Sequence, residues 1–466
     1  MTFFYWLYFH SSSQGTYQFL DYRQGAYYDE ISSELRSGIV GVTENAQYGQ
    51  PTMQVDWSFY RGAYYLYYPP FPAIFQLVIT LILGLSSSFD ELTLVCSIVN
   101  LAVFYALLWD MSTYFKLNLE KTQWIRILFF LVYAFGWLFM LSSRYFVYET
   151  AIIFGSTLLL LSTEMFLRYY NIKPTASLES RAILLLDSAF FLSLAVLSRS
   201  NLALCFFPML GLIAWKEIRL RSREGAWKAL IQLLLFATPM VTVGFANAYY
   251  NMIRFGDPFE FGLSYSHPGR ILDYQRVVSH QLVSIRYFPQ NLYHLVLLMP
   301  QVSLSSNAPF VTILYYAPSW LVGDYPKLAA LEWPGSIVFS SPLLILSLLP
   351  FFVYRGRTSE QKNLLALLLL AGASAAYTLF WFGYSRRYVQ DFYPFLLLLA
   401  FLGVYNISEA AKEHPKYRFA LKVILLTALI WTAFVSFDFV LQWPFQYDLY
   451  RAVRIYNDPS AFVFLG

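Results

Sequence analysis

The sequence contains little charge, little cysteine and little histidine. Only 13% of its 466 residues are Asp, Glu, Lys or Arg, whereas a typical soluble domain contains about 25%. Both cysteines, Cys96 and Cys205, lie inside apolar segments, which is typical of packed thiols and not of a disulfide or a metal pair. The five histidines show no metal-ligand spacing. The composition therefore argues against a soluble domain and against a disulfide scaffold.

Motifs of several enzyme classes are also missing from the sequence. It has no Walker-type phosphate loop, no HExxH and no serine-nucleophile elbow. Nucleotide hydrolysis, zinc-dependent proteolysis and serine hydrolysis therefore have no support. The net charge of +4 comes from basic residues in short loops between apolar segments, which is a pattern of membrane orientation and does not predict nucleic-acid binding.

Apolar runs that are long enough to cross a bilayer dominate the rest of the chain. Hydrophobic residues make up 58% of it and aromatic residues 20%, and about 20 apolar residues span a hydrocarbon core of about 30 Å. The runs lack the alternation of a β-barrel, and tyrosines crowd their ends as in an interfacial belt. The sequence predicts an all-α integral membrane protein, a polytopic bundle of about 10–12 transmembrane helices. The predicted spans are 92–110, 125–143, 148–167, 183–198, 201–215, 229–249, 336–354, 363–382, 392–408 and 419–437.

Loop charges predict how these spans are oriented. If residues 71–85 form a juxtamembrane helix that does not cross, every strongly basic short loop falls on the cytoplasmic side. The outer face then holds the loop 16–70, the large loop 250–334 and the tail 438–466. The chain is predicted to be a single polytopic domain over residues 1–437, followed by that tail.

Some apolar stretches do not fit a simple span. The N-terminal MTFFYWLYF is too short to cross, and we interpret it as the outer half of a first helix in a truncated chain, or as an interfacial segment. LVLLMPQVSL and FVTILYYAPSWLV, both in the 250–334 loop, are interpreted as re-entrant or interfacial helices.

One basic pair contradicts the charge rule. Arg386 and Arg387, followed by Tyr388, lie on the predicted outer face, where cations should be depleted. An arginine at a membrane boundary can simply extend its charge into the headgroup region. Its planar guanidinium also fits phosphate, and two arginines between tyrosines on this face favour anion binding.

The loop that precedes Pro69-Pro70 is rich in carboxylates. We predict a short amphipathic helix over 26–36, with Asp29 and Glu30 beside its apolar stripe. Asp21 falls where the first helix would leave the membrane, and a low dielectric there raises a carboxylate pKa and suits a general base. The alternative interpretation is a solvated acidic loop with no catalytic role. The Pro-Pro pair fixes the backbone and can start a helix.

Four segments, in this order, resemble those of GT-C-fold glycosyltransferases. The stretch from Tyr27-Tyr28 to Gly38, followed by RGAYYLYYPPFPA (61–73), is similar to the first outer loop of that family. The family includes polyprenyl-phosphate-sugar-dependent mannosyltransferases and the aminoarabinose transferase type. LAVLSRSNLALCFFP (194–208), NMIRFGDPFEFGLSY (251–265) and SRRYVQDFYPFLLLL (385–399) resemble later elements of its bacterial members.

The resemblance implies an enzyme that moves a sugar from a polyprenyl-phosphate donor, by inverting displacement, at the outer face of a bacterial plasma membrane. It implies a carboxylate base, Asp21 or alternatively Asp29. It implies no definite cofactor, leaves a divalent metal open, and names no acceptor, which could be a glycan, a lipid or a protein. The implied substrate-binding residues are Arg386, Arg387, Tyr388, Glu149, Arg144 and Arg61.

Two other classes of function stay open at this point. A transporter or flippase of lipid-linked glycans would show paired half-helices or inverted repeats near mid-membrane, and the sequence shows neither. A non-catalytic scaffold of a cell-envelope complex would be favoured if the candidate acids and arginines lay far apart.

Overall fold

The computed structural model describes most of the chain, and the N-terminal 25 residues and the last nine lie outside the described part. The described residues are 26–38, 40–41, 57–84, 89–142, 147–173, 175–224, 226–265, 283–298, 300–304, 311–315, 336–355, 358–381 and 386–457.

The opening loop folds into a helix, a hairpin and a second helix. Helix α1 (Ala26–Arg36) has the predicted bounds, and Tyr28 and Ile31 on it are buried. Strands β1 (Trp57–Tyr60) and β2 (Ala63–Leu66) pair antiparallel. Both residues of their two-residue turn have positive φ, as a type I′ turn requires. Helix α2 (Phe71–Leu83) begins after Pro70 and has 13 residues, so it is about 20 Å long and shorter than a hydrocarbon core.

Long apolar helices form the body of the protein. Nine helical segments in the described ranges are long and apolar enough to cross a membrane, with mean hydropathy between 1.3 and 2.1. The predicted all-α polytopic bundle is therefore confirmed. The first six segments comprise α3 (Phe89–Tyr114), α4 (Leu119–Phe135) with α5 (Trp137–Ser142), α6 (Val147–Asn171), α7 (Leu178–Ser198), the 3-10 helix Ser200–Cys205 with α8 (Phe206–Glu224), and α9 (Ala226–Phe255).

The segment between the sixth and seventh spans differs from the predictions. Short 3-10 turns (Leu263–Tyr265 and Ile285–Tyr287) precede α10 (Phe288–Leu292) and a π turn, Tyr293–Leu297. Strands β3 (Pro300–Leu304) and β4 (Val311–Tyr315) then form an antiparallel hairpin where interfacial helices were predicted. β-branched residues are common in these strands and favour a pleated backbone. This part of the helix prediction is wrong.

The predicted span 336–354 is helical but broken. It consists of α11 (Ile337–Ser340), the 3-10 helix Pro342–Leu348 and α12 (Leu349–Val353). Each of the last two pieces carries a proline in its first turn, and a proline removes a backbone donor and disturbs the preceding turn. The last three spanning segments lie in α13 (Thr358–Phe380), α14 (Tyr393–Ala410) and α15 (Pro415–Asn457).

The core lies where α3, α4, α6 and α14 meet. Large side chains with no exposed surface on these helices include Phe104, Phe129, Tyr133 and Tyr393. In the most apolar stretch of α6, 83% of the residues are buried, whereas in that of α9 only 17% are. The bundle therefore has a packed centre and peripheral helices whose faces are open to lipid.

Candidate active site

The candidate site centres on a 3-10 helix, Arg386–Asp391, which connects α13 to α14. It holds the basic pair that contradicts the charge rule. Side chains from four of its residues reach different helices: those of Arg387, Tyr388, Gln390 and Asp391. The turn is therefore a point where several elements of the bundle are joined.

Arg387 lies against the start of α6. Its Nη1 is 3.8 Å from Oε2 of Glu149, and its guanidinium carbon lies 3.7 Å from the centre of the Tyr148 ring. A charge-assisted hydrogen bond would be about 2.7–2.9 Å long, so the Arg387–Glu149 contact is an ion pair without a direct hydrogen bond. Glu149 is buried in the first turn of α6, where the helix dipole favours a negative charge. Two of the predicted site residues are thereby brought together.

A second guanidinium, that of Arg199, is fixed at the end of α7. Arg199 Nη2 lies 3.0 Å from Oδ2 of Asp391, and its Nε donates to Oδ1 of Asn201 at 2.9 Å. Asn201 Nδ2 in turn donates to the same Asp391 oxygen at 3.3 Å. The three side chains form a closed triangle that couples the segment after α7 to the 3-10 helix.

Asp391 is the carboxyl of this triangle, and its pKa is perturbed. Burial raises the pKa of its carboxyl to about 6, and this effect is opposed by the Arg199 guanidinium and the Asn201 amide. Its second oxygen, Oδ1, is buried and has no hydrogen-bond partner among the described residues. A buried oxygen without a donor destabilises the charged form. Asp391 therefore exchanges its proton close to neutral pH.

The ring of Tyr388 lies close to both guanidiniums. The Arg199 guanidinium carbon is 4.7 Å from the centre of its ring, and that of Arg387 is 6.0 Å away. The Tyr377 ring contacts it edge-on at 5.6 Å. The negative face of an aromatic ring attracts cations, so the Tyr388 ring stabilises the two guanidiniums close to each other.

Tyrosines at the end of the opening loop pack next to Tyr148, the residue that contacts Arg387. The hydroxyl oxygens of Tyr67 and Tyr148 are 3.1 Å apart, and those of Tyr67 and Tyr68 are 2.9 Å apart. Burial raises the pKa of the Tyr28 hydroxyl on α1, the Tyr67 hydroxyl raises it further, and Arg199 opposes the shift. Tyr67 of the YYPP segment therefore contacts Tyr148, which lies against Arg387. Tyr28 on α1 is close enough to Arg199 for the arginine's charge to affect its pKa.

A buried hydrogen-bond chain ties the 3-10 helix to the bundle. Gln390 Nε2 donates to the Tyr133 hydroxyl at 2.7 Å, and Tyr133 donates to Oδ1 of Asn100. Asn100 Nδ2 then donates to the hydroxyls of Ser156 and Thr157 on α6, at 3.1 and 2.9 Å. Buried polar groups that are paired in this way rigidify a structure, so α3, α4 and α6 together fix the position of Arg387.

The end of α9 and the segment that follows it hold the β1–β2 hairpin in place. Arg254 is buried, and its Nη1 donates to the carbonyl of Leu66 at 2.7 Å. The Ser58 hydroxyl donates to the carbonyl of Gly262 at 2.7 Å. Gly262 has a φ of +93°, and a Cβ on it would lie 2.7 Å from Ser58 Oγ, so only glycine fits there. The motif 251–265 therefore positions the opening loop.

The other predicted site residues fall outside this cluster or outside the described residues. Arg61 is exposed at the hairpin turn, 5.1 Å from the Tyr60 ring centre. Asp21 and Arg144 lie outside the described residues. Asp29 is in α1 and Arg386 begins the 3-10 helix, but both of their side chains lie outside the described part. No group of three or more His, Cys, Asp or Glu residues suited to a metal occurs in the described ranges.

Several members of the cluster were not among the predicted site residues. The sequence draws attention to Arg199 and to Asp391 at the predicted outer ends of spans, but the predicted catalytic and substrate-binding residues included neither of them, nor Asn201. All three lie in two of the four family-like segments. The signal was the presence of polar residues in both segments, LSRSN and RRYVQD, at the outer ends of apolar spans. Nothing local to either segment shows that they meet, because 190 residues separate Asn201 from Asp391.

Comparisons with protein-family models and with curated proteins find no match. Among solved structures, the chain is similar to one described as the crystal structure of ArnT from Cupriavidus metallidurans bound to undecaprenyl phosphate. The TM-score is 0.44 and the sequence identity 14%, and the match covers 90% of this chain and 70% of that one. At this level of similarity, it transfers neither an activity nor a residue role to this chain.

Proposed function

We propose that the protein is a membrane glycosyltransferase that takes a sugar from a polyprenyl-phosphate donor at the outer face of the membrane. The observation that carries the proposal is that the guanidiniums of Arg199 and Arg387 both lie within 6.0 Å of the centre of the Tyr388 ring. They lie at the predicted outer ends of helices, next to the tyrosines of the opening loop. A phosphate at the membrane boundary is the ligand class that such an arrangement suits.

The electrostatics of the cluster favour an anion that gains charge during the reaction. When the sugar leaves its phosphate, negative charge grows on the phosphate oxygens. Fixed cations in a site that is bordered by lipid stabilise that charge more than water does. Glu149 and Asp391 balance the two guanidiniums at rest. Because Asp391 titrates near pH 6, it can take up a proton and reduce the repulsion that an arriving phosphate meets.

The proposed chemistry needs one base and one leaving group. A carboxylate of the opening loop, Asp21 or Asp29, takes the proton of the acceptor hydroxyl. The acceptor oxygen then forms a bond to the anomeric carbon while the bond from that carbon to the phosphate oxygen breaks, so the configuration inverts. Polyprenyl phosphate leaves with the bonding electron pair and is held by Arg387 and, in this proposal, by Arg386.

The experiment that tests this proposal measures the binding of polyprenyl phosphate to the purified protein in lipid nanodiscs. We expect Arg387→Ala to weaken binding by 10-fold or more, about 1.4 kcal/mol, because it removes a charge-assisted contact to phosphate. Arg387→Lys should retain part of the affinity, since it keeps the charge and loses the planar fork. Arg286→Ala is the matched control, because Arg286 is an exposed arginine on a short 3-10 turn outside the cluster.

Two outcomes would contradict the proposal. Equal affinity in the unchanged protein and in Arg387→Ala would remove the phosphate-binding role of the pair. Equal losses in Arg387→Ala and Arg286→Ala would show a general effect of surface charge, and the site would then need to be sought elsewhere.

A further inference from the structure

One carboxylate among the described residues, that of Asp187, lies on the outside of the bundle in the middle of a spanning helix. Asp187 belongs to α7, whose spanning part is Leu178–Ser198, with a mean hydropathy of 1.8. At 1.5 Å per residue, Asp187 lies about 14 Å from one end of the span and about 17 Å from the other. It is therefore close to the midplane of a bilayer of ordinary thickness.

The face of α7 that carries Asp187 points away from the protein. The buried residues of the helix, such as Leu185, Ala189 and Leu192, lie on the opposite side. On the side of Asp187, the exposed fractions of Ile183 and Phe190 are 51% and 53%, and Asp187 itself is exposed. Ile183, Asp187 and Phe190 follow one another at intervals of four and three residues, so their side chains lie on one stripe of the helix.

Asp187 differs from Glu164 and Glu217, two other acids inside the spans. Glu164 is paired with Arg168 at 2.6 Å, and Glu217 accepts a hydrogen bond from Tyr169 at 2.5 Å. Asp187 has no hydrogen bond and no ion pair with any described residue. A carboxylate that faces lipid at mid-depth is costly and is normally directed towards a partner.

We propose that this stripe of α7 is a docking surface for a membrane-spanning helix of another protein, and that this helix carries a lysine or arginine at mid-depth. Charge complementarity selects the occupant, because a cation opposite Asp187 neutralises it where water does not reach. A second copy of this chain is a poor fit, since a two-fold contact through this stripe would oppose Asp187 to itself. The inference does not depend on the proposed glycosyltransferase activity.

A photo-crosslinking experiment in native membranes tests this surface. A photoreactive residue replaces Phe190, and in a matched control it replaces Phe245, which is 74% exposed on the spanning helix α9. We expect a crosslink from position 190 to a partner helix that has Lys or Arg within one turn of the linked residue, and none from position 245. Adding Asp187→Asn should lower the yield by 10-fold or more, whereas Asp187→Glu should retain it.

Other outcomes would overturn the proposal. These are a crosslink to lipid alone, to residues 1–25 of the same chain, to a second copy, or to a helix without a cation, and a yield that is equal in Asp187→Asn. A second measurement tests whether Asp187 is needed for the folding of this chain. Asp187→Leu should unfold at the same or a higher temperature than the unchanged protein in detergent, because the carboxylate has no partner within the described chain. A lower temperature would show that Asp187 serves the protein's own fold.

Discussion

Replacing Asp391 by asparagine removes the negative charge from the buried pair with Arg199 and keeps the shape of the side chain. Two physical estimates of the result disagree. Removing one partner of a buried ion pair commonly costs about 3–5 kcal/mol. However, the pKa of Asp391 is about 6 instead of the ordinary 3.8, so the folded protein favours the neutral acid by about 3 kcal/mol.

The raised pKa decides between these two estimates. Asparagine imitates the neutral acid, and Arg199 keeps its contacts with Asn201 and the Tyr388 ring. We therefore expect Asp391→Asn to increase the free energy of unfolding above pH 7, by up to about 3 kcal/mol. Asp391→Ala, which also leaves a cavity and removes the acceptor for Arg199, should lower it.

The same pKa predicts how the effect depends on pH. The folded state binds the Asp391 proton more tightly than the unfolded state does. Its contribution to stability is therefore complete below about pH 4 and is lost as the pH rises through about 6. The advantage of Asp391→Asn should grow from pH 5 to pH 8, where it reaches about 3 kcal/mol.

Thermal unfolding in detergent at these two pH values measures the difference. Glu413→Gln serves as the control, because Glu413 is an exposed acid outside the buried cluster, on the cytoplasmic side of the predicted topology. If Asp391→Asn were several kcal/mol less stable than the unchanged protein at pH 8, the ionised carboxylate would be the favoured form. The reasoning about this pair would then be refuted.

Two further substitutions test how the site is held. Gly262→Ala should destabilise the segment that holds the hairpin by about 1–3 kcal/mol, because it places a Cβ at positive φ and 2.7 Å from the Ser58 hydroxyl. Limited proteolysis should then cleave this variant faster than the control Gly372→Ala, in which the added Cβ meets open space. Tyr133→Phe should cost about 1–3 kcal/mol, because it leaves the buried Gln390 amide without its acceptor; the unfolding temperature should fall, unlike that of Tyr417→Phe at an exposed position. Unchanged stability in either buried variant would show that the contact contributes nothing.

Local pattern was sufficient to predict most helices. The helix over 26–36 was predicted with the bounds that the structure has, because its apolar residues recur at helical spacing. The long spans were predictable because bilayer thickness fixes their length. Prolines broke the predicted span 336–354 in two places, and a hydropathy window does not register this effect. The apolar run 295–304 was predicted to be helical, but its second half, Pro300–Leu304, is a strand, since a short apolar run does not distinguish a helix from a strand.

The site was predictable only in part, for a physical reason. Arg387 drew attention because it contradicts the charge rule, and Glu149 because it is an acid at the start of a span. The contacts that complete the cluster join residues far apart in the chain, such as Arg199 with Asp391. Those pairings depend on how the helices pack, and no local pattern specifies that. Which carboxylate of the opening loop acts as the base stays a prediction for Asp21 and Asp29.

One measurement tests the proposed activity most directly. Purified protein in vesicles is given a polyprenyl-phosphate donor with a labelled sugar, and released polyprenyl phosphate and labelled product are measured together. The account predicts equal amounts of the two, a product of inverted configuration, and a loss of at least 100-fold in Arg387→Ala, in the range known for removing a donor that stabilises developing charge. Movement of the intact lipid-linked sugar across the membrane without release of polyprenyl phosphate would contradict the account and indicate a transporter.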